Sequence, residues 1–384
     1  MRTILIFIDW FSPGFRAGGP IRSVVNMIEH LSHKYRFLVI TRDTDYCDDN
    51  PYQQVKSDQW NEYNGSVKVY YFSKKNLNRK NLLAVTKEAN PDIIYLNGIY
   101  SWAFSILPLL MLRGFPVKKV IAPRGMLSIQ AFSSSSIKKK IFLSAAKGFQ
   151  LYRDITFQAT SEQEILDIKH RISKGAKIIQ APNLPKKAND RQQNPLKKEQ
   201  GQLKLITIAR VSPEKNYSYI IRLLKGMTGL SISLDCYGPI YDKPYYEQCL
   251  SEAQNLPKGI EINFKGPASP EVLDALLPNY HFLLFPTTGE NFGHAIYEAM
   301  ICGVPVILSD KTPWRGLEAS SAGWDLPLVD KDKWENVLRK CYDMEQEEYD
   351  NLCNGAQQVA VKYMQQSDFI KKYEQLFGDP QPSF

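Results

Sequence analysis

Short apolar runs rich in β-branched and aromatic residues alternate with amphipathic stretches along all 384 residues. That alternation restricts the chain to parallel sheets with crossover helices. The runs form two series. "TILIFI", "RFLVIT", "VKVYYF", "DIIYLN", "KKVIAP", "ITFQAT" and "KIIQAP" predict strands in the first, with helices near residues 20–32, 78–89, 101–112, 136–147 and 162–171. "LKLITIA", "SISLDCYG", "IEINFKG", "HFLLFPT" and "PVILSD" predict those of the second. Between them "LPKKANDRQQNPLKKEQGQ" is polar and reads as a linker. The expected organisation is a domain over 1–184, a linker over 185–202 and a domain over 203–366. It is an α/β class of two Rossmann-like, doubly wound domains facing across a cleft, with ligands in the strand-to-helix loops.

Composition narrows the setting. Apolar residues at 43% and charged residues at 23% suit a globular chain, and no apolar run nears the roughly 18 residues of a membrane span. The start "MRTILIFIDW" reads as a strand rather than a secretory signal, so a cytoplasmic location is expected. Six cysteines without a C-x-x-C or a histidine cluster suggest reduced structural thiols, not zinc or disulfides. Residues 1–183 hold 26 Lys+Arg against 14 Asp+Glu, leaving 22 against 26 for the rest, so the halves carry +12 and −4. A basic first half suits an anionic partner, be it membrane surface, nucleic acid or phosphorylated acceptor, and its sign does not choose among them.

Three loops at strand ends can carry chemistry. In "FSPGFRAGGPIRS", Gly18 and Gly19 are not spaced as G-x-G-x-x-G, yet they let backbone N–H groups approach an anion before a helix starting near Pro20. An ordinary flexible turn would look the same. In "ARVSPEKN", Ser212 reads as an N-cap, Pro213 as the first helical residue and Lys215 as part of the first turn. A cation there opposes the helix dipole unless an anion sits at the helix end, and with Arg210 it forms a two-pronged clamp suited to a diphosphate. A solvated turn with Arg210 paired to a nearby carboxylate is the alternative. The third loop, "TGENFG", follows "HFLLFPT" and precedes a helix "HAIYEAMICG" stopped by Gly303. Glu290 sits before that helix, and Glu298 lies four residues after His294 on the same face. Backbone N–H groups from Asn291 through Phe292 and Gly293 to His294 are open to hydroxyls or phosphate oxygens. Alternatively Glu298 is a surface residue and Glu290 an incidental loop acid.

Taken together, "GGPIR", "PRGML", "ARVSPEKN", "FPTTGENFGHAIYEAM" and "GVPVILSDKTPW" resemble a family 4 glycosyltransferase of the GT-B fold over nearly the whole chain. The resemblance implies retaining transfer from a nucleotide-diphosphate sugar to a glycan or polyprenyl-linked acceptor, in surface polysaccharide or lipopolysaccharide assembly. It implies that Glu298 holds the donor ribose and that Arg210 and Lys215 hold the diphosphate. Glu290 with the Asn291–Gly293 backbone would hold the transferred sugar, and Gly18 and Gly19 would approach the same phosphates. The segment 367–384 would cross back to the first domain. No nucleic acid, cofactor or obligatory metal is implied. The D-x-D of Asp43 and Asp45, which would suggest a metal-dependent transferase of another fold, is expected in a loop.

This chain departs from the family where the acceptor is handled. "APRGM" places Arg124 where many relatives have a histidine, "NGIY" (Asn97 to Tyr100) replaces a frequent "HG", and "PNL" replaces "PNG". Arg124 cannot act as a base at neutral pH but can bind oxygens. Asn97, Tyr100, Arg124 and His294 are therefore candidate acceptor or sugar contacts. Lysines 138, 139, 140 and 147 beside Ile137, Ile141, Phe142 and Leu143 suit a helix on anionic lipid, from Ile137 to Phe149, on the inner face of the cell membrane. A solvated helix with one face in the core fits equally well. The competing functions are a sugar-nucleotide epimerase of the same fold and a catalytically silent nucleotide-sugar-binding subunit.

Overall fold

The computed structural model describes residues 1–128, 136–187, 196–365 and 368–378. They fall into two compact units, Met1–Lys187 with Ser367–Phe384, and Ala188–Gln366.

The first unit holds β1 Thr3–Phe7, β2 Arg36–Arg42, β3 Trp60–Asn64, β4 Val67–Phe72, β5 Ile93–Asn97, β6 Lys118–Ala122, β7 Ile155–Ala159 and β8 Lys177–Gln180. Its sheet order is β3-β4-β2-β1-β5-β6-β7-β8. β5 and β7 are buried at every position, which explains their unbroken apolar sequence: helices cover both faces of a parallel sheet. β3 departs from expectation as an antiparallel edge strand joined to β4 through Gly65 at φ 55°. Its sequence WNEYN lacks the apolar signal because it is only half covered. The expected helix over 101–112 is interrupted as well, a π-helical turn Trp102–Ile106 preceding the α-helix Leu107–Met111.

The helix Asp368–Phe377 groups with this unit. Its buried Phe369, Tyr373, Leu376 and Phe377 recur at one helical face, and the Tyr373 hydroxyl donates to the Pro182 carbonyl at 3.0 Å. The stretch expected as a linker is anchored wherever it is described. Asn26 Nδ2 donates to the Leu184 carbonyl at 2.9 Å, and buried Lys198 donates to the carbonyls of Glu199 (2.7 Å) and Tyr342 (3.1 Å).

The second unit holds β9 Leu203–Ile208, β10 Ile232–Tyr237, β11 Ile260–Gly266, β12 Phe282–Phe285, β13 Val306–Ser309 and β14 Gly323–Leu326. All its pairings are parallel, in the order β11-β10-β9-β12-β13-β14. The chain winds outward from β9 in one direction and then restarts at β12 in the other, so the sheet has its topological switch between β9 and β12.

Beneath β12, buried His281 accepts from the Lys204 N–H at Nδ1 (3.0 Å) and donates from Nε2 to the Lys197 carbonyl (3.3 Å). Burial lowers its pKa to about 4, with Lys198 and Lys204 adding repulsion. The unfolded imidazole then binds a proton more readily than the folded one. Its contribution is complete above about pH 6.5 and declines as acid approaches pH 4. Stability of the second unit is expected to fall by about 2 kcal/mol between pH ~7 and ~5 from this group, a component that urea titrations of His281→Gln will lack.

Candidate functional site

At the switch point the loop after β9 is stitched to the loop after β12. The Glu214 carbonyl accepts from Thr288 N–H (2.9 Å), Thr287 Oγ1 (3.0 Å) and Thr288 Oγ1 (3.2 Å), while Asn216 Nδ2 donates to the Pro286 carbonyl at 3.1 Å. From the other side Ser309 Oγ donates to the Thr287 carbonyl at 2.5 Å, and Glu290 N–H donates to the Lys311 carbonyl at 3.0 Å. This stitching brings Lys215 Nζ onto Glu290 Oε1 as an ion pair, with side chains only 12% and 18% exposed. The ammonium also lies 5.3 Å from the centre of the Phe285 ring.

The local geometry of the first loop differs from the sequence expectation. Ser212 makes no side-chain cap, and residues 213–215 form one isolated 3₁₀ turn. Asn216 at φ 63° breaks it from the α-helix Tyr217–Lys225. Lys215 therefore does not oppose the dipole of a long helix; its position is set by the threonine stitches and by Glu290. Arg210 finds a carboxylate, as one reading allowed: its Nη2 lies 2.9 Å and its Nε 3.1 Å from Glu214 Oε1. Its guanidinium also stacks 4.9 Å above the Tyr241 ring. Burial pushes the Glu214 carboxyl up, but the Arg210 charge and hydrogen bonds outweigh it and hold the group below its ordinary range. Sequence reading missed both the full role of Glu214 and the contact from Tyr241. The "YGPIY" turn after β10 was the available signal, a strand-end loop beside β9.

Glu298 is 4% exposed, within a helix His294–Ile301 that also buries His294, Ile296, Tyr297, Ala299 and Met300. The surface-acid alternative is thereby removed. Gly293 begins this helix at φ 79°, and a side chain there would meet Ile296 Cδ1 at 2.6 Å. The left-handed φ is what requires glycine between Glu290 and the helix. Phe292 enters the sequence reading through its backbone N–H, and its side chain is part of the core. Its ring packs 5.6 Å from Trp314 and 5.7 Å from Tyr363, and its carbonyl accepts from Trp314 Nε1 at 2.6 Å, leaving its N–H to the loop. Asn291 beside it is half-buried.

In the first unit Gly18 caps the helix Gly19–Leu31 at φ 67°, with open space where a side chain would stand. Arg124 is engaged from within its own unit. Nε donates to Asn97 Oδ1 (2.8 Å), Nη2 to the Tyr95 hydroxyl (2.7 Å) and Nη1 to Asn183 Oδ1. Arg124 and Asn97 thus brace the ends of β5 and β6 through one another. Tyr100 packs 5.6 Å from Phe142, and burial raises its hydroxyl to about 12 with Arg171 acting against it. Asp45 accepts from the N–H groups of Phe15 (3.0 Å), Arg16 (3.2 Å) and Tyr46 (2.7 Å), and Asp43 from Ser57 Oγ (2.7 Å). The D-x-D carboxylates hold loops together.

The helix Ser136–Gly148 turns Leu143 and Ala146 inward and leaves Ile137 (72%), Ile141 (65%) and the following Phe149 (73%) exposed beside exposed Lys138, Lys140 and Lys147. No helix among the described residues is long and apolar enough to cross a membrane.

Two doubly wound parallel-sheet units in one chain place the protein in the GT-B fold class. Residues 188–359 match the family model for glycosyl transferases group 1. Among solved structures, sucrose-phosphate synthase from Thermosynechococcus elongatus superposes with TM-score 0.73 at 16% identity over 98% of each chain. Anabaena HepE, in a complex with UDP-glucose, gives 0.69 at 15% identity over 98% of this chain and 99% of its own. WaaG, a glycosyltransferase involved in lipopolysaccharide biosynthesis, gives 0.64 at 12% identity over 99% and 100%. A search of curated proteins by sequence returned no match.

Proposed function

We propose that the protein is a retaining glycosyltransferase. It moves a hexosyl group from a nucleoside-diphosphate sugar to a glycan or lipid-linked acceptor in surface polysaccharide or lipopolysaccharide assembly, working at an anionic membrane surface. One observation carries the reading: stitched loops gather Arg210, Lys215 and Glu290 at the switch point of the second unit, next to the helix that buries Glu298. The UDP and UDP-glucose complexes of HepE and the lipopolysaccharide role of WaaG support it by analogy.

In this reading Glu298 accepts hydrogen bonds from the ribose hydroxyls, and Glu290 with the Asn291–Gly293 N–H groups orients the sugar. Negative charge grows on the departing phosphate as the sugar becomes oxocarbenium-like, and Arg210 and Lys215 meet that charge. The acceptor hydroxyl attacks from the face the phosphate leaves, and its proton passes to a leaving phosphate oxygen. Two fixed cations supply the neutralisation a metal would give, so chelator treatment is expected to leave turnover intact. A loss restored by manganese or magnesium would overturn this last step.

Thermal shift with a panel of nucleotide-sugars tests the reading. A donor at 100 times its Kd adds about 2.7 kcal/mol, several degrees for a unit of this size. No selective shift from any nucleotide-sugar would overturn the reading, and an epimerised donor as sole product would reassign the chain to an epimerase. Glu298→Gln keeps the buried volume but removes the ionised acceptor. UDP affinity is expected to fall by about 1.5–3 kcal/mol, roughly 10- to 150-fold in calorimetry.

A further inference from the structure

The first unit has a second switch point that the donor reading does not use. β1 lies between β2 and β5, and the chain winds away from β1 in both directions. Asp9, two residues past β1, meets Arg42 at the end of β2 and Ser101 just after β5. Ser101 Oγ donates to Asp9 Oδ1 at 2.8 Å, and Arg42 Nη2 lies 3.3 Å from the same oxygen. Both protein donors fall on Oδ1, so Asp9 Oδ2 has no donor among the described residues and is not among the atoms sealed from solvent. Arg42 Nε is buried without a hydrogen-bond partner. Ser101 is fixed from behind: its Oγ accepts from Phe104 N–H at 3.2 Å, and its carbonyl accepts from both Ser105 (3.0 Å) and Ile106 (2.9 Å) N–H groups. That double acceptance creates the π-helical turn, a local departure often found at functional sites.

Aromatic residues adjoin this polar centre in the chain. Trp10 adjoins Asp9, stands 4.9 Å from Tyr46 and lies 5.9 Å from the Arg42 guanidinium. Trp102 adjoins Ser101 and is 63% exposed. A single exposed indole needs no explanation. A carboxylate oxygen open to donors at a strand-end switch point, with one indole next to Asp9 and an exposed one next to Ser101 in the chain, has the composition of a sugar site: hydroxyls bond the polar centre while the weakly positive C–H face of a pyranose lies on a ring's negative face. The Asp9–Arg42 pair is neutral overall, which favours an uncharged hexose over a sugar phosphate or a uronic acid.

We propose that Asp9, Arg42, Ser101, Trp10 and Trp102 form a pyranose-binding subsite for the terminal neutral hexose of the acceptor. The acceptor role rests on the glycosyltransferase reading; the carbohydrate binding does not. Asp9 Oδ2 takes a hydroxyl proton in a hydrogen bond, Arg42 donates to a second hydroxyl, and Trp102 carries the ring.

Saturation-transfer NMR of the full chain with methyl α-D-glucopyranoside, methyl α-D-mannopyranoside and methyl β-D-galactopyranoside at millimolar concentration tests it. Transfer to ring protons of at least one glycoside is expected with the wild type. It should weaken by about 2- to 10-fold in Trp102→Ala and in Asp9→Asn. UDP-induced thermal shifts of both variants, read in parallel, should match the wild type and report that they are folded. Absence of transfer from all three glycosides, equal transfer in Trp102→Ala, or displacement by inorganic phosphate would each overturn the subsite. Loss of glycoside binding in the variants of a protein that shows no shift with any nucleotide-sugar would instead keep the subsite and remove the glycosyltransferase reading.

Discussion

Arg210→Ala is expected to lower kcat by about 10²- to 10³-fold, the loss typical when one fixed donor to a developing oxyanion is removed. Folding should barely change, because the arginine side chain is 45% exposed and its partner Glu214 36%, and an exposed ion pair contributes about 0–1 kcal/mol. Lys215→Ala should cost a comparable factor in turnover but behave differently in stability. Its pair with Glu290 is more enclosed, and removing the ammonium leaves a carboxylate with poorer solvation, worth roughly 1–3 kcal/mol. Steady-state release of nucleoside diphosphate in the presence of acceptor measures the first quantity and urea titration the second. An Arg210→Ala protein that keeps wild-type turnover would show that the clamp is misplaced. The two variants also separate two settings of charge: Arg210 lies over the ring of Tyr241 and is paired with Glu214 at a half-exposed position, whereas Lys215 is bridged in a more enclosed one to the residue proposed to hold the sugar.

The parts of this arrangement that were readable in sequence are those written in local periodicity. Buried parallel strands such as β5 and β7 have no polar face, so their runs stand out. β3 and β14 escaped for opposite reasons. WNEYN is polar because it lies at the sheet edge, and only the Asn64–Gly65 turn before β4 marked it as half of a hairpin. GWDL is four residues long and begins at Gly323, where a side chain would strike the Val306 carbonyl at 1.9 Å, a constraint set by a distant strand. The donor-side candidates Arg210, Lys215, Glu290 and Glu298 were named from strand-end loops. Their partnerships were not legible, since Lys215 and Glu290 are 75 residues apart and the stitches from Thr287 and Thr288 depend on β9 lying beside β12. Arg124 shows the limit most plainly: a cation after a strand reads as a candidate oxygen binder, and its bonds to Asn97, Tyr95 and Asn183, on other strand ends, were not legible.

Replacing Lys138, Lys139 and Lys140 together by glutamate is expected to abolish binding to anionic vesicles. The helix Ser136–Gly148 keeps Leu143 and Ala146 in its own core, so the fold does not account for exposed Ile137 and Ile141 one turn apart, with Phe149 beyond the helix end. Apolar side chains at that spacing enter the interface between headgroups and acyl chains, while the neighbouring lysines stay with the phosphates. Each exposed lysine near such a surface contributes about 1 kcal/mol, so losing Lys138 and Lys140 lowers partitioning roughly 30-fold before repulsion from the new carboxylates is counted, while Lys139 lies over the Tyr100 ring. The wild type should pellet with phosphatidylserine-containing vesicles at low salt, come off as salt shortens the Debye length, and ignore neutral phosphatidylcholine vesicles. UDP binding should be equal in mutant and wild type, because the proposed donor residues belong to the other unit. If the triple mutant pellets as well as the wild type, the ridge does not read lipid charge. An acceptor free in solution would then fit the proposed transferase better than one held in a bilayer.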